Sequence, residues 1–139
     1  MQHRFLTLLL LTILVSACQE KKIRQQIVGP WAYDLEATRL EMSNREASPS
    51  EINYMESILN TLNQARVVFN RDGSMTLAMD GLEETGTWSL QSKGNELIIN
   101  LTGSDQVNRI EYLSTDTLIL YPQRPDADSF PRVLVSAEE

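Results

Sequence analysis

From residue 27 onward, apolar and polar residues alternate in short runs that are separated by turn-forming residues. A period of two places one side of an extended segment against a core and the other against water, which is typical of antiparallel strands. The clearest run contains Met75, Leu77 and Met79 and follows the turn residues Asp72 and Gly73. The pattern therefore predicts a mainly β protein.

About eight runs of this kind follow one another at close spacing, which suits an antiparallel closed barrel or a sandwich. The first is predicted from the alternation of Trp31, Tyr33 and Leu35. In a later run, Ile110 and Tyr112 share one face while Val107 has the opposite parity, so we expect a β-bulge there. The last two strands are predicted over residues 117–121 and 130–135.

One segment departs from the alternation and predicts a helix over residues 49–63. Ser48 is a good N-cap, Pro49 suits the first helical position and Glu51 completes a capping box. Apolar residues then recur at helical spacing, namely Ile52, Met55, Leu59 and Leu62. We expect this stripe to cover one end or face of the sheet, with docking of a partner protein as the alternative. The polar residues 35–47 are expected to add a turn of helix before it.

The N-terminal segment has the parts of a secretory signal peptide. His3 and Arg4 give it a basic start, and residues 5–15 form an apolar run. At about 1.5 Å per residue, such a run is too short to cross a hydrocarbon core about 30 Å thick. We therefore predict that residues 1–17 are removed from the mature chain.

The residues at the predicted cleavage junction are Val15, Ser16, Ala17 and Cys18. They resemble the lipobox of bacterial lipoproteins, in which the cysteine is acylated and becomes the first residue of the mature protein. The resemblance implies palmitate or a related acyl chain on Cys18 and a membrane partner, and Gln19 after it favours the outer membrane of the cell envelope. Residues 18–26 would then be a polar tether, and residues 27–139 one domain. The alternative is an ordinary secreted protein with a stray cysteine.

Several classes of function are excluded or disfavoured by composition. His3 is the only histidine and lies in the segment predicted to be removed, so the mature chain has no Ser-His-Asp or Cys-His catalysis. Cys18 is the only cysteine, which excludes an internal disulfide and a multi-cysteine zinc site. The net charge of −7 disfavours nucleic acid as a partner. We expect no enzymatic activity, no metal and no cofactor.

The carboxylates offer two weaker hypotheses. Acidic clusters are predicted in a hairpin and in a later loop and contain Asp80, Glu83, Glu84, Asp126 and Asp128. Neither has the ordered ligand spacing of a calcium loop, so we expect solvated acidic surfaces. Asp34 and Glu36 would share a face if they lay on a strand, as a glycosidase pair requires. Nothing nearby in the sequence suggests that either carboxyl acts as the general acid of such a pair.

Three motifs are arranged in the order found in bacterial lipocalin-like domains, which are common on lipoproteins. The motifs are Gly29-Pro30-Trp31, Phe69-Asn70-Arg71-Asp72-Gly73-Ser74 and Gly86-Thr87-Trp88-Ser89-Leu90. The similarity covers residues 27–121 and implies an up-and-down barrel of about eight strands. This chain departs from the family pattern at Pro30 and in the predicted helix, which is inserted after the first strand. In lipocalins an arginine commonly packs over the first-strand tryptophan, and Arg132 is the residue here that best fits this role over Trp31.

An eight-stranded barrel has an interior that is either filled by side chains or able to hold one small ligand. The residues predicted to line a pocket are Trp31, Tyr33, Phe69, Met75, Leu77, Trp88 and Ile99. The first hypothesis is a membrane-anchored, non-enzymatic module that binds a small apolar ligand, with the helix as a lid. The alternative is a structural or interaction lipoprotein with a filled barrel that contacts another envelope protein. A cavity of a few hundred Å³ would favour the first.

Overall fold

The computed structural model of the chain describes residues 2–123 and 130–138. Its helices are α1 (Gln2–Ile27), α2 (Leu35–Asn44) and α3 (Pro49–Leu62), and a 3₁₀ turn covers Ser92–Gly94. The strands are β1 (Gly29–Tyr33), β2 (Arg66–Phe69), β3 (Ser74–Met79), β4 (Leu82–Gln91), β5 (Glu96–Asn100), β6 (Gln106–Leu113), β7 (Thr117–Pro122) and β8 (Arg132–Ser136). The predicted acidic loop with Asp126 and Asp128 lies outside the described residues.

The eight strands form one closed antiparallel barrel in which each strand pairs with its neighbours in sequence. The barrel closes where β1 pairs with β8, with Trp31 opposite Ser136 and Tyr33 opposite Leu134. The prediction of a mainly β, up-and-down barrel is therefore confirmed. Its core contains apolar side chains from all eight strands, including Phe69, which is 1% exposed.

Local turn chemistry explains the hairpins. Gly73 has a φ of 87° in the β2–β3 turn, where a side chain would be strained. Asp80 and Gly81 have φ of 50° and 79°, the doubly positive pattern that connects tightly paired strands. In β6 the register shifts between Ile110 and Tyr112, so a β-bulge is present. It lies between the two residues that were predicted to share a face, and not between Val107 and Ile110.

Two helices, rather than one helix with an added turn, are inserted between β1 and β2. For α3, the Ser48 hydroxyl accepts from the Glu51 backbone N–H at 3.3 Å, and the Glu51 carboxylate accepts from the Ser48 N–H at 2.7 Å. The Ser48 hydroxyl also donates to the Glu51 carboxylate at 2.7 Å. This bond is the main cause that lowers the pKa of Glu51, followed by the bond from the Ser48 N–H. The predicted capping box and helix start are confirmed.

The prediction that β1 continues through Leu35 is wrong, because α2 begins at that residue. The Asp34 carboxylate accepts from the Ala37 N–H at 2.8 Å and caps the helix. Asp34 and Glu36 therefore do not share a strand face, and the carboxylate-pair hypothesis loses its geometric premise.

The two inserted helices pack on the barrel through a second apolar cluster, formed by Met42, Met55, Leu59 and Phe130. The Thr38 hydroxyl also accepts from the backbone N–H of Val133 in β8 at 3.1 Å, which joins α2 to the barrel wall. The apolar stripe of α3 thus covers part of its own chain, as expected.

The C-terminal end of α1 packs against the opposite end of the barrel. Ile27 is 0% exposed and belongs to the barrel core. A Cβ placed on Gly94 would lie 2.7 Å from Cδ1 of Ile23, so the 3₁₀ turn is in close contact with α1. Among the described residues, no helix has the length and apolarity needed to span a bilayer.

Gly86 should be the glycine least tolerant of a side chain in the barrel wall. A Cβ at this position would overlap the backbone oxygen of Asn100 and lie 3.1 Å from Cα of Leu101, both on the β5 side. Gly86→Ala should therefore lower the free energy of unfolding by about 1–3 kcal/mol. Thr87→Ala, at the exposed next position, should lower it by less than about 1 kcal/mol. Equal losses in urea denaturation would contradict the close approach of the strands.

Candidate functional site

The barrel interior contains a cavity of about 30 Å³. A void of this size holds one or two water molecules, whereas pockets for small organic ligands measure about 300–1,000 Å³. Five of the predicted pocket residues line it, namely Tyr33, Phe69, Met75, Leu77 and Ile99. The interior is thus largely filled by the side chains that sequence reasoning assigned to a ligand.

The two tryptophans predicted for the pocket lie instead in the core at the α1 end. The indole N–H of Trp31 donates to the Ile27 carbonyl at 2.7 Å, and that of Trp88 donates to the Asn70 carbonyl at 2.9 Å. Trp88 also meets Phe69 edge to face, with ring centroids 5.5 Å apart. Both rings therefore hold neighbouring segments against the barrel.

Three polar residues also line the cavity, namely Gln106, Asn108 and Arg132. None of them is among the residues predicted to line a pocket. Asn108 is 3% exposed, and its amide donates to the carbonyls of Leu97 and Gln106 at 3.4 and 3.2 Å. The Nε of Arg132 is buried without a hydrogen-bond partner among the described residues. Because Arg132 and Leu134 share a parity in β8, period-two analysis of that strand could have placed this arginine inward.

Arg132 does not pack over Trp31, as the lipocalin resemblance led us to expect. Its guanidinium lies 5.7 Å from the ring centroid of Phe130. The arginine that covers a barrel tryptophan is Arg24 of α1, whose guanidinium carbon lies 4.7 Å from the centroid of Trp88. The difference arises because the end of α1, rather than β8, supplies the side chains that close this end of the barrel.

On the outer wall, Tyr121 joins α2 to the barrel. Its hydroxyl donates to the Glu41 carboxylate at 2.8 Å, and the Arg45 guanidinium lies 3.6 Å from its ring centroid. Partial burial and then the hydrogen bond to Glu41 raise the pKa of Tyr121 well above its usual value. The phenol therefore stays protonated at physiological pH and serves as a fixed hydrogen-bond donor.

The described residues form two open surface grooves in addition to the interior cavity. One, of about 310 Å³, runs between α2 and the barrel beside Asp34 and Arg39. The other, of about 370 Å³, lies beside α1 and is lined by Lys21, Arg24 and Arg71 among others. Within the described ranges, no three carboxylate, histidine or cysteine side chains are grouped as metal ligands.

A larger side chain at Val67 should fill the interior cavity. Val67 is 2% exposed and lines the cavity from β2. Val67→Ile adds one methylene and should raise the free energy of unfolding by up to about 0.8 kcal/mol in urea denaturation. Val68→Ile, on the half-buried outer face of the same strand, is the matched control and should change it little. A loss of stability at Val67 alone would mean that the interior has no room for even this group.

Comparison with known proteins assigns the chain to no family. No protein-family model matches the chain, and no curated protein is significantly similar to it. Among solved structures, the chain is similar to the crystal structure of a DUF4847 family protein from Bacteroides vulgatus, with 13% sequence identity and a TM-score of 0.49. That match covers 81% of this chain and 94% of the other. A likeness at this level says nothing about function.

Proposed function

We propose that this chain is a lipid-anchored lipoprotein of the bacterial cell envelope whose filled barrel acts through contact with another envelope protein. In this proposal it is neither an enzyme nor a carrier of an enclosed apolar ligand. The observation that carries the proposal is the interior cavity of about 30 Å³. This volume is roughly a tenth of the smallest typical ligand pocket.

Packing around the cavity supports a filled barrel. Val67, Phe69 and Met75 line it and are each no more than 2% exposed. A ligand of typical size would have to displace several such side chains. Each large side chain displaced from the core gives up about 1.5–3 kcal/mol of burial free energy. The interior is therefore better suited to stabilising the domain than to exchanging cargo.

Two carboxylates, those of Asp72 and Asp116, are held in turns by hydrogen bonds, which suits a structural role better than acid catalysis. The pKa values of Asp72 and Asp116 are lowered mainly by hydrogen bonds from the hydroxyls of Ser74 and Ser114. Such carboxylates stay ionised and stabilise turns, whereas a general acid needs a raised pKa.

The position of Cys18 supports anchoring close to the bilayer. Cys18 is exposed on α1, and Ile27, nine residues later on the same helix, is buried in the barrel core. At about 1.5 Å per residue, this separation corresponds to about 14 Å along the helix axis. An acyl chain on Cys18 would thus hold the barrel beside the membrane. With Gln19 following the cysteine, the outer membrane is the proposed location.

A second candidate function is favoured by the buried, unpartnered Nε of Arg132. Guanidinium N–H groups form strong charge-assisted hydrogen bonds with carboxylates and phosphates. In this alternative, the acidic head group of a small ligand binds at Arg132, and the domain acts as a binding module. The small cavity disfavours it unless the barrel opens.

Native mass spectrometry of the lipidated full protein, purified from bacterial membranes in mild detergent, separates the two functions. We expect the native mass to equal the denatured mass. Extra mass that is lost on denaturation would overturn the filled-barrel proposal. Arg132→Gln should then abolish that extra mass if the second candidate is correct, while Arg66→Gln, an equal charge change at an exposed position, should leave it unchanged.

A further inference from the structure

Every lysine of this acidic chain lies at the α1 end of the barrel. The lysines are Lys21 and Lys22 of α1 and Lys93 of the 3₁₀ turn, in a protein of net charge −7. Arg24 and Arg71 join them, since both line the groove of about 370 Å³ together with Lys21. We call these five residues the basic surface.

The fold brings these residues together from three separate parts of the chain. Ile23 of α1 contacts Gly94, which places the turn carrying Lys93 against the helix. Arg71, in the β2–β3 turn, lines the same groove as Lys21. Arg24 is held by the face of Trp88, with its guanidinium carbon 4.7 Å from the ring centroid. The basic surface is thus positioned by the barrel and not by the helix alone.

Within the part of the chain that the structure describes, no residue of the basic surface forms an ion pair. The ion pairs present involve Arg39, Arg45 and Arg109, elsewhere on the molecule. Two carboxylates near the basic surface are engaged by other groups.

Asp72 accepts from the Ser74 hydroxyl at 2.6 Å, and Glu96 accepts from the side chains of Gln91 and Ser92 at 2.7 and 2.9 Å. Glu20 is the remaining carboxylate on this part of α1. The five cations therefore outnumber the carboxylates beside them and are available to an external anion.

We propose that the basic surface binds anionic lipid headgroups of the same bilayer in which the acyl chain on Cys18 is inserted. The α1 end of the barrel then faces the membrane and contacts it. The inference rests on the proposed lipid anchor. Lys21 and Arg24 follow Cys18 by three and six residues, which is about 4.5 and 9 Å along the helix axis. These distances are comparable with the Debye length of about 8 Å at physiological salt, so the cations lie within the field of an anionic surface.

Lysine acetylation tests this inference directly, because all three lysines belong to the basic surface. The lipidated full protein is reconstituted in vesicles of phosphatidylcholine alone or of an equal mixture with phosphatidylglycerol. Acetylation rates are then measured by mass spectrometry. We expect the lysines to react about fivefold more slowly in the anionic vesicles. The attraction of one basic residue to such a surface corresponds to a factor of about five in binding. Salt at about 1 M should remove the difference, because it shortens the Debye length to about 3 Å.

Two variants make the result specific. Arg71→Gln should weaken the protection of the lysines, whereas Arg66→Gln, about 15 Å away along β2 and its turn, should not. Equal acetylation rates in the two kinds of vesicle would overturn the inference. Flotation with the neutral vesicles reports the anchor alone, so failure of the anchor and failure of the basic surface are separate results.

Discussion

Replacement of Cys18 by serine should move the protein from the membrane fraction to the soluble fraction and abolish its labelling by radioactive palmitate. Each buried methylene of an acyl chain contributes about 0.8 kcal/mol, so a single chain binds marginally while two or three hold firmly. Serine has no thiol to be acylated, so the whole contribution of the acyl chains to membrane binding is lost. We expect membrane partitioning to fall at least a hundredfold or so.

Gln19→Ser is the matched control, since it introduces the same residue one position later and leaves the thiol in place. It should remain labelled and membrane-bound. Any binding that Cys18→Ser retains through the basic surface should be removed by a wash with high salt, whereas binding through acyl chains should resist it. A Cys18→Ser protein that stays both labelled and bound would show that the lipoprotein proposal is wrong.

The features that sequence predicted well are those set by neighbouring residues. A turn was expected at Asp72 and Gly73, where Gly73 has a positive φ, and a capping box was expected from Ser48 and Glu51. Both depend on chemistry within four residues, so tertiary structure has little chance to override them. Alternation over eight runs then left few architectures to choose from.

Leu35 shows where a local pattern fails. Three alternating residues are too few to distinguish the end of a strand from the first turn of a helix. Asp34 decides the outcome, because its carboxylate caps α2. Leu35 then packs with the second apolar cluster, on the outside of the barrel.

The size of the interior was beyond sequence reasoning for a different reason. It depends on the tilt and stagger of the strands, which are set by pairing around the whole barrel. Large side chains at inward positions were compatible with either a pocket or a filled core. The role of α1 was equally hidden, because Arg24 belongs to the segment that was predicted to be a polar tether, and Ile27 was predicted to begin the domain without any link to a helix. Their positions against Trp88 and in the core are long-range contacts.

Trp31→Ala should cause the largest loss of stability among single substitutions in the barrel that we consider. Trp31 is 2% exposed and packs in the same core cluster as Ile27 and Val67. Truncation of a buried tryptophan costs about 3–5 kcal/mol, a large part of the 5–15 kcal/mol that stabilises a typical domain. Tyr112→Ala, at a side chain that is 53% exposed, is the control and should lose less than about 1 kcal/mol.

Urea denaturation should be followed by far-UV circular dichroism, because the substitution removes one of the two tryptophans. A loss below about 1 kcal/mol in Trp31→Ala would contradict the buried position of the first strand.

Trp31→Phe separates the hydrogen bond from the packing. It keeps an aromatic ring but removes the N–H that donates to the Ile27 carbonyl at 2.7 Å. The lost bond should cost about 1–3 kcal/mol, because it leaves a buried acceptor without its indole donor. Since Ile27 ends α1, hydrogen exchange should quicken most over residues 20–27 and less in the strands. Uniform quickening would mean that the bond stabilises the barrel as a whole. Faster exchange confined to residues 20–27 would show that Trp31 holds α1 against the barrel. The proposed orientation, with the α1 end of the barrel on the membrane, requires this contact.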